Sequence, residues 1–319
     1  MDGGDQGGGG GETGGGEAAS AEASASRPPG SDATSTGERP HPQQSPIYHA
    51  LHADRYHRQE LITAYEAATN AKFVAALDYI DIDFVVNLEE QLFRESGERE
   101  LHLMLRSPGG DGEQAIRAIR VLQSRCSKFV LVIPDMAKSA ATLLALGADE
   151  IRLGPASDLG PIDPQMMIGG RWFAAKDVIS AVEQAEEAVK SDRSLTPLWA
   201  SLLAEVTALD VRSAKAELAR TAPMIRQALS YRSTPPTAEQ AEELVGALVA
   251  ALQEEPTSHG ASLGPSELQR LHLPVVEMDP NSWEWECLWR LWTLYWVQIG
   301  APIYESAGAS YRPTGPHPA

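Results

Sequence analysis

The feature that most constrains this chain is a series of short apolar segments separated by helical patterns between Lys72 and Leu153. KFVAAL (Lys72 to Leu77), LHLML (Leu101 to Leu105), FVLVI (Phe129 to Ile133) and EIRL (Glu150 to Leu153) read as strands, FVLVI as a buried one. Between them, Phe84, Val85, Leu88 and Leu92 recur at helical spacing within Asp83 to Glu95. Ala115, Ile116, Ile119 and Leu122 do the same, and Ser139 to Leu146 is a helix of small residues. Strands alternating with helices at this pace predict an α/β fold with a largely parallel sheet.

From Asp177 to Tyr231 the pattern changes to Ala, Glu, Leu and Arg with few breakers before Pro235-Pro236, which predicts a helical excursion over 177–236. It is expected to project from the sheet or pack against a neighbour. Glu267 to Val276 returns to a short helix and strand. Over 281–299, Trp285, Trp289, Trp292 and Trp296 fall at i, i+4, i+7 and i+11 and predict a helix with one apolar stripe, packed within the protein or between subunits. The segment 1–45 is Gly, Ser, Ala, Glu and Pro with almost no large apolar side chain, and 301–319 is similar on a smaller scale. Both are expected to be disordered tails flanking one domain over 46–300.

Charge narrows the function classes. With 44 acidic against 26 basic side chains the formal charge is -18, which opposes binding to nucleic acid or anionic lipid. No apolar stretch reaches the roughly 20 residues of a membrane span. Two cysteines, Cys126 and Cys287, and no apolar signal segment at the start lead to the expectation of reduced thiols and a cytoplasmic protein. His49, His52 and His57 lack metal-ligand partners at a recognisable spacing and are expected at the surface, and His102 within its strand is expected to be partly buried and hydrogen-bonded. No GxGxxG turn, no defensible PLP lysine and no GxxxxGK[ST] loop occur, so no cofactor is expected and any ATP dependence would need a separate ATPase.

Two segments place glycine or small residues where a strand ends and a helix begins. These are Ser107-Pro108-Gly109-Gly110-Asp111 and Ala137-Lys138-Ser139-Ala140-Ala141. Free backbone N–H groups at such junctions stabilise negative charge, as an acyl-transfer oxyanion requires, and a serine opening a helix beside them is a candidate nucleophile.

The span Leu101 to Gln165, with its SPGG turn, AKSA segment, GADEI and SDLGPIDPQ, resembles the ClpP-class serine peptidases, most closely the serine dehydrogenase proteinases. The resemblance extends more loosely from Arg55 to Val276. It implies the ClpP/crotonase-like spiral of β-β-α units, with Ser139 as nucleophile and the N–H groups of Gly110 and Ala140 as oxyanion donors. It also implies a peptide or unfolded-protein substrate and a homo-oligomer, with the helical excursion lying where ClpP peptidases carry their stacking elements. The pattern departs at the base, because Asp163 stands where those peptidases carry histidine, and the place of their aspartate falls near Ser258-His259-Gly260. Three routes stay open. Acid and imidazole have exchanged places, giving Ser139, His259 and Asp163; Lys176, 37 residues after Ser139, forms a Ser/Lys dyad; or Lys138 supports the turn or pairs with Asp111 or Asp163. A catalytically weak or inactive scaffold and a crotonase-type acyl-CoA enzyme are the alternative functions.

Overall fold

A computed structural model describes residues 45–255, 261–298 and 300–311, and from Pro46 onward the chain forms one compact unit. The expected tail over 1–45 and the candidate base His259 therefore lie outside the described residues, apart from Ser45.

The chain opens with α1 (Pro46–Leu51) and α2 (Ala53–Thr69), then alternates β1 (Lys72–Leu77), α3 (Ile82–Leu92), β2 (Glu100–Arg106), α4 (Gly112–Ser124) and β3 (Lys128–Ile133). The short β4 (Met136–Ala137) leads into α5 (Ala140–Leu146), followed by β5 (Glu150–Leu153), β6 (Asp158–Leu159) and a hairpin of β7 (Gln165–Ile168) and β8 (Arg171–Ala174). Helices α6 (Ala175–Ser191), α7 (Thr196–Leu202), α8 (Ala208–Ser230) and α9 (Ala238–Val249) form the excursion, with a π-helical turn over Ala250–Glu254. The described chain closes with α10 (Pro265–Arg270), β9 (Val275–Glu277), α11 (Trp283–Trp296), β10 (Ile303–Ser306) and β11 (Ser310–Tyr311).

Seven strands form the main sheet in the order β11-β10-β1-β2-β3-β5-β9. The neighbours from β1 to β9 run parallel, and β10 and β11 add antiparallel at one edge. Side chains alternate between two cores, as a strand period of two requires. Val74, Leu103 and Leu131 face α3, α4, α5 and the later helices, while Phe73, Met104 and Val130 face α2 and α11. Burial on both faces explains the near-continuous apolar strand sequences. In β3–β4–α5 the second strand leaves the main sheet to pair with β6, giving a β-β-α unit.

The excursion does not simply project. The C-terminal half of α8 returns Ile225, Ala228 and Leu229 to the main core, while Ile168, Ala175, Val178 and Ala214 form a separate small cluster. The tryptophan stripe is also divided. Trp285 and Trp292 are buried beside Leu288, Leu291 and Tyr295, whereas Trp289 and Trp296 are exposed, because the buried face of α11 is centred on Leu288, Leu291 and Tyr295.

The expectation of a disordered end from Ala301 is corrected by β10, whose four residues are all buried. Glu305 concealed this strand in the sequence, since a carboxylate breaks the apolar pattern. Its partner is Arg58 of α2, with Nε donating to Oε2 at 2.6 Å and both side chains withdrawn from solvent. Tyr304 Oη donates to the buried Asp78 carboxylate at 2.6 Å and fixes the same strand to the end of β1. Replacing Glu305 by Ala is expected to cost about 3–5 kcal/mol in urea unfolding, because it strands a buried guanidinium.

On the α2 side of the sheet, Tyr65 Oη donates to Glu284 at 2.8 Å and, its single hydrogen so used, accepts from His102 Nδ1–H at 2.8 Å. Burial, and then the nearby Arg152, hold the His102 imidazole below its ordinary 6.5. The unfolded chain takes up a proton here as the pH falls through that value, whereas the folded chain does so only at lower pH. The contribution of His102 is therefore full above the unfolded pKa and is lost as the pH falls through the folded one. A His102→Gln variant is expected to show a flatter decline of stability below neutrality in denaturant titrations at stepped pH.

Candidate active site

The two glycine-rich and small-residue junctions meet because β2 and β4 continue side by side beyond the main sheet. Ser107 N–H donates to the Met136 carbonyl at 3.2 Å and Lys138 N–H to the Ser107 carbonyl at 3.1 Å, a parallel bridge between Ser107 and Ala137. Ser139 then turns into α5 with φ 51°, a left-handed conformation that a non-glycine residue adopts only when its surroundings impose it. Its own N–H donates to the Pro161 carbonyl at 3.1 Å, and its carbonyl accepts from Leu143 at 3.1 Å, so the turn is held from both sides.

The glycine turn is shaped by close approach. Gly109 and Gly110 have φ of +119° and +144°. A Cβ on Gly109 would lie 2.8 Å from Ser139 Cβ, and one on Gly110 would lie 2.2 Å from the Ile80 carbonyl oxygen. Asp111 caps α4 by accepting from the Glu113 N–H at 2.7 Å, which ends the turn. Among the described residues, neither the Gly110 N–H nor the Ala140 N–H is engaged by a carbonyl or side-chain acceptor. Ala140 is the first residue of α5, where N–H groups lack an intrahelical partner.

Gly110, Ser139 and Ala140 all line a cleft of about 650 Å³. Its walls are Pro108, Ile162 and Pro164 near the serine, Leu143 of α5, Trp172 of β8, and Glu217, Arg220, Thr221 and Met224 of α8. The sequence reading missed the α8 wall. Its only local signal is the spacing of 217, 220, 221 and 224, which is one helical face, and nothing in that face says what it opposes. Among the described residues, Arg220 is the single lysine or arginine lining the cleft, and it is engaged by Glu113 of α4 and Glu217.

The structure separates the remaining candidates. Asp163 is buried, 1% exposed, just behind the wall formed by Ile162, Pro164 and Gln165. Lys138 does not pair with Asp111 or Asp163. Its Nζ donates to Asp158 Oδ1 at 2.5 Å because its stem runs across Gly160, where a Cβ would lie 2.1 Å from Lys138 Cδ, and is thereby directed toward β6. Lys176, near the start of α6, donates to the Gln253 carbonyl at 3.1 Å. Neither lysine is among the residues lining the cleft. His259 is not described, but the chain on either side of 256–260 is tied to the segment beside the serine. Ile162 N–H donates to the Leu252 carbonyl at 2.8 Å, and Leu159 and Leu263 exchange bonds of 3.1 and 2.8 Å.

A strained serine between two unengaged backbone donors, in a cleft at the ends of parallel strands, is a geometry suited to acyl transfer at a serine. The family model of ClpP-like SDH-type serine proteinases matches residues 55–208, which span α2 to the start of α8 and include Gly110, Ser139, Ala140 and Asp163. Two uncharacterized proteins of Methanocaldococcus jannaschii are each 30% identical to this chain, over 98 and 139 residues. These matches cover 31% and 44% of this chain and 33% and 44% of the relatives, so the chain spans less than half the length of the curated relatives it matches. The crystal structure of the ClpP protease catalytic domain from Plasmodium falciparum aligns with a TM-score of 0.28 and 12% identity, over 32% of this chain and 57% of that one.

Among the described residues, no helix is long and apolar enough to cross a membrane. Cys126 and Cys287 are free, and burial pushes the Cys126 thiol up to about 12, which leaves it unreactive. His52 and His49 stack on Tyr48 and Tyr56.

Gly110→Ala would drive a methyl group into the Ile80 carbonyl and shift the turn carrying the donor. Reaction of Ser139 with a fluorophosphonate is expected to fall by roughly a hundredfold, as for loss of one oxyanion donor, when followed by intact mass.

Proposed function

We propose that the protein is a serine peptidase that hydrolyses peptide bonds through an acyl-enzyme on Ser139. The observation that carries this reading is the left-handed Ser139 in one cleft with the unengaged N–H groups of Gly110 and Ala140. Ser139 Oγ attacks the scissile carbonyl carbon as the base accepts its proton. The oxyanion is held by the two N–H groups, each worth about 2.7–4 kcal/mol of barrier. Collapse breaks the C–N bond, the base returns the proton to the leaving amine, and water then releases the acyl group by the same steps.

His259 is assigned as the base and Asp163 as the acid that orients it. A carboxylate alone is a weak base toward a hydroxyl, and Asp163 sits behind the cleft wall, where it suits an orienting role. Lys138 and Lys176 are turned to Asp158 and Gln253, which favours the exchange of acid and imidazole over a Ser/Lys dyad. The cleft accommodates an extended peptide or an unfolded polypeptide. Among the described residues, the only lysine or arginine lining it is held by two carboxylates, which counts against the phosphates of an acyl-CoA. We further place the protein in the cytoplasm as a homo-oligomer, with any unfolding of substrates supplied by a separate ATPase.

Fluorophosphonate labelling with peptide mapping tests the reading. A single adduct on Ser139 is expected, absent in Ser139→Ala and slowed about a thousandfold or more in His259→Ala and Asp163→Asn. Lys138→Met and Lys176→Met are expected to label within about tenfold of wild type. A folded protein that gives no adduct would shift the reading to a non-catalytic scaffold, and thioester turnover would shift it to a crotonase-type enzyme.

A further inference from the structure

We infer that Thr221 of α8 sets substrate specificity: its hydroxyl hydrogen-bonds a short neutral polar side chain, threonine or asparagine, on the residue that supplies the scissile carbonyl. The inference rests on the serine-peptidase reading above. Thr221 lines the cleft with Gly110, Ser139 and Ala140 and is only 3% exposed. Among the described residues its hydroxyl has no hydrogen-bond partner, yet it is not sealed from solvent, so it opens on the cleft.

Other helical threonines of the chain use their hydroxyls internally. Thr63 and Thr69 of α2 donate to the carbonyls four residues earlier at 2.7 and 2.8 Å, and the buried Thr142 of α5 donates to the Gly160 carbonyl at 2.8 Å. Thr221 does neither. Its hydroxyl can donate one hydrogen bond and accept others, which matches it to a substrate hydroxyl or amide.

The surroundings define the side chain that fits. Met224 lies on the same face of α8, three residues further on, and closes over Gly112, where a Cβ would lie 3.1 Å from Met224 Sδ and 3.6 Å from Leu143 Cδ2. Gly112 follows the donor Gly110 by two residues, and Leu143 follows Ser139 by one turn of α5. The wall beside the nucleophile is therefore apolar, with one hydroxyl set in it. A carboxylate would find Arg220 already held by Glu113 and Glu217, and any charged side chain would lose hydration against Leu143 and Met224. A wholly apolar side chain would displace water from the Thr221 hydroxyl without replacing its hydrogen bond. A short side chain ending in a hydroxyl or an amide avoids both costs. Thr221 also lies beyond the span matched by the family model, which ends at Ala208 as α8 begins.

The test uses the full chain and peptidyl diphenyl phosphonates that modify Ser139, with the rate followed by intact mass. The compounds form two matched pairs, threonine against valine and asparagine against leucine, at the residue that carries the phosphorus. The wild-type protein is expected to react about tenfold faster with the polar member of each pair. Thr221→Val should abolish that preference by slowing the polar members, and Thr221→Ser should keep it. Each ratio is taken within one preparation, so loss of folded protein cancels, and the wild-type ratio needs no variant. Equal wild-type rates within the pairs, or a preference that survives Thr221→Val, would overturn the inference. So would a Ser139 that reacts with a small fluorophosphonate but with none of the peptidyl compounds. If neither kind of probe modifies Ser139, it is the peptidase reading itself that fails.

Discussion

The site depends on one short backbone contact, the parallel bridge between Ser107 at the end of β2 and Ala137 in β4. Its two hydrogen bonds carry the glycine turn and the serine turn out of the main sheet together. Everything chemical follows from that adjacency. Gly109 has no side chain because Ser139 Cβ occupies the space, Gly110 has none because the Ile80 carbonyl does, and Ser139 takes a left-handed φ because Pro161 and Leu143 hold its N–H and carbonyl. The proposed donor turn and nucleophile are placed by backbone bonds on a parallel sheet, which is the preorganisation that the proposed stabilisation of an oxyanion would require.

The helical excursion completes this frame. One end is attached through the small cluster of Ile168, Val178 and Ala214, and the other through Ile225 and Leu229 in the main core. The face of α8 between them, from Glu217 to Met224, is thereby drawn across the cleft mouth. The ion pairs of Arg220 with Glu113 and Glu217 link it to the first turn of α4, immediately after the glycine turn. Partly exposed pairs of this kind add little stability, so their contribution is to fix where α8 stands relative to the donor turn.

The far side of the sheet is held by polar groups that an apolar core would not need. Arg58 with Glu305 and Tyr65 with His102 and Glu284 are bonded in or beside the layer formed by α2 and α11, while Tyr304, on the α3 face of the strand that carries Glu305, is bonded to Asp78. Each requires its partner, since an unpaired buried charge is far costlier than the pair is favourable. They give β10 a specific place and register at the sheet edge, which its four residues could not obtain from hydrophobicity alone.

Much of this was legible in the sequence. The strands from Lys72 to Leu153 are recognisable because burial on both faces demands continuous apolar side chains, and the two small-residue junctions are recognisable because tight turns and close approach exclude side chains. These are local demands, so the local sequence determined the parallel α/β core, the nucleophile position and the donor positions proposed for it. Tertiary structure alone decided the rest. The pairing of Glu305 with Arg58 spans 247 residues, Lys138 reaches Asp158 rather than another acid, and Met224 and Arg220 face the serine only because α8 is anchored at both ends. The reason is physical: a backbone conformation is dictated by the residues that adopt it, whereas the partner of a polar side chain is set by where distant segments come to rest.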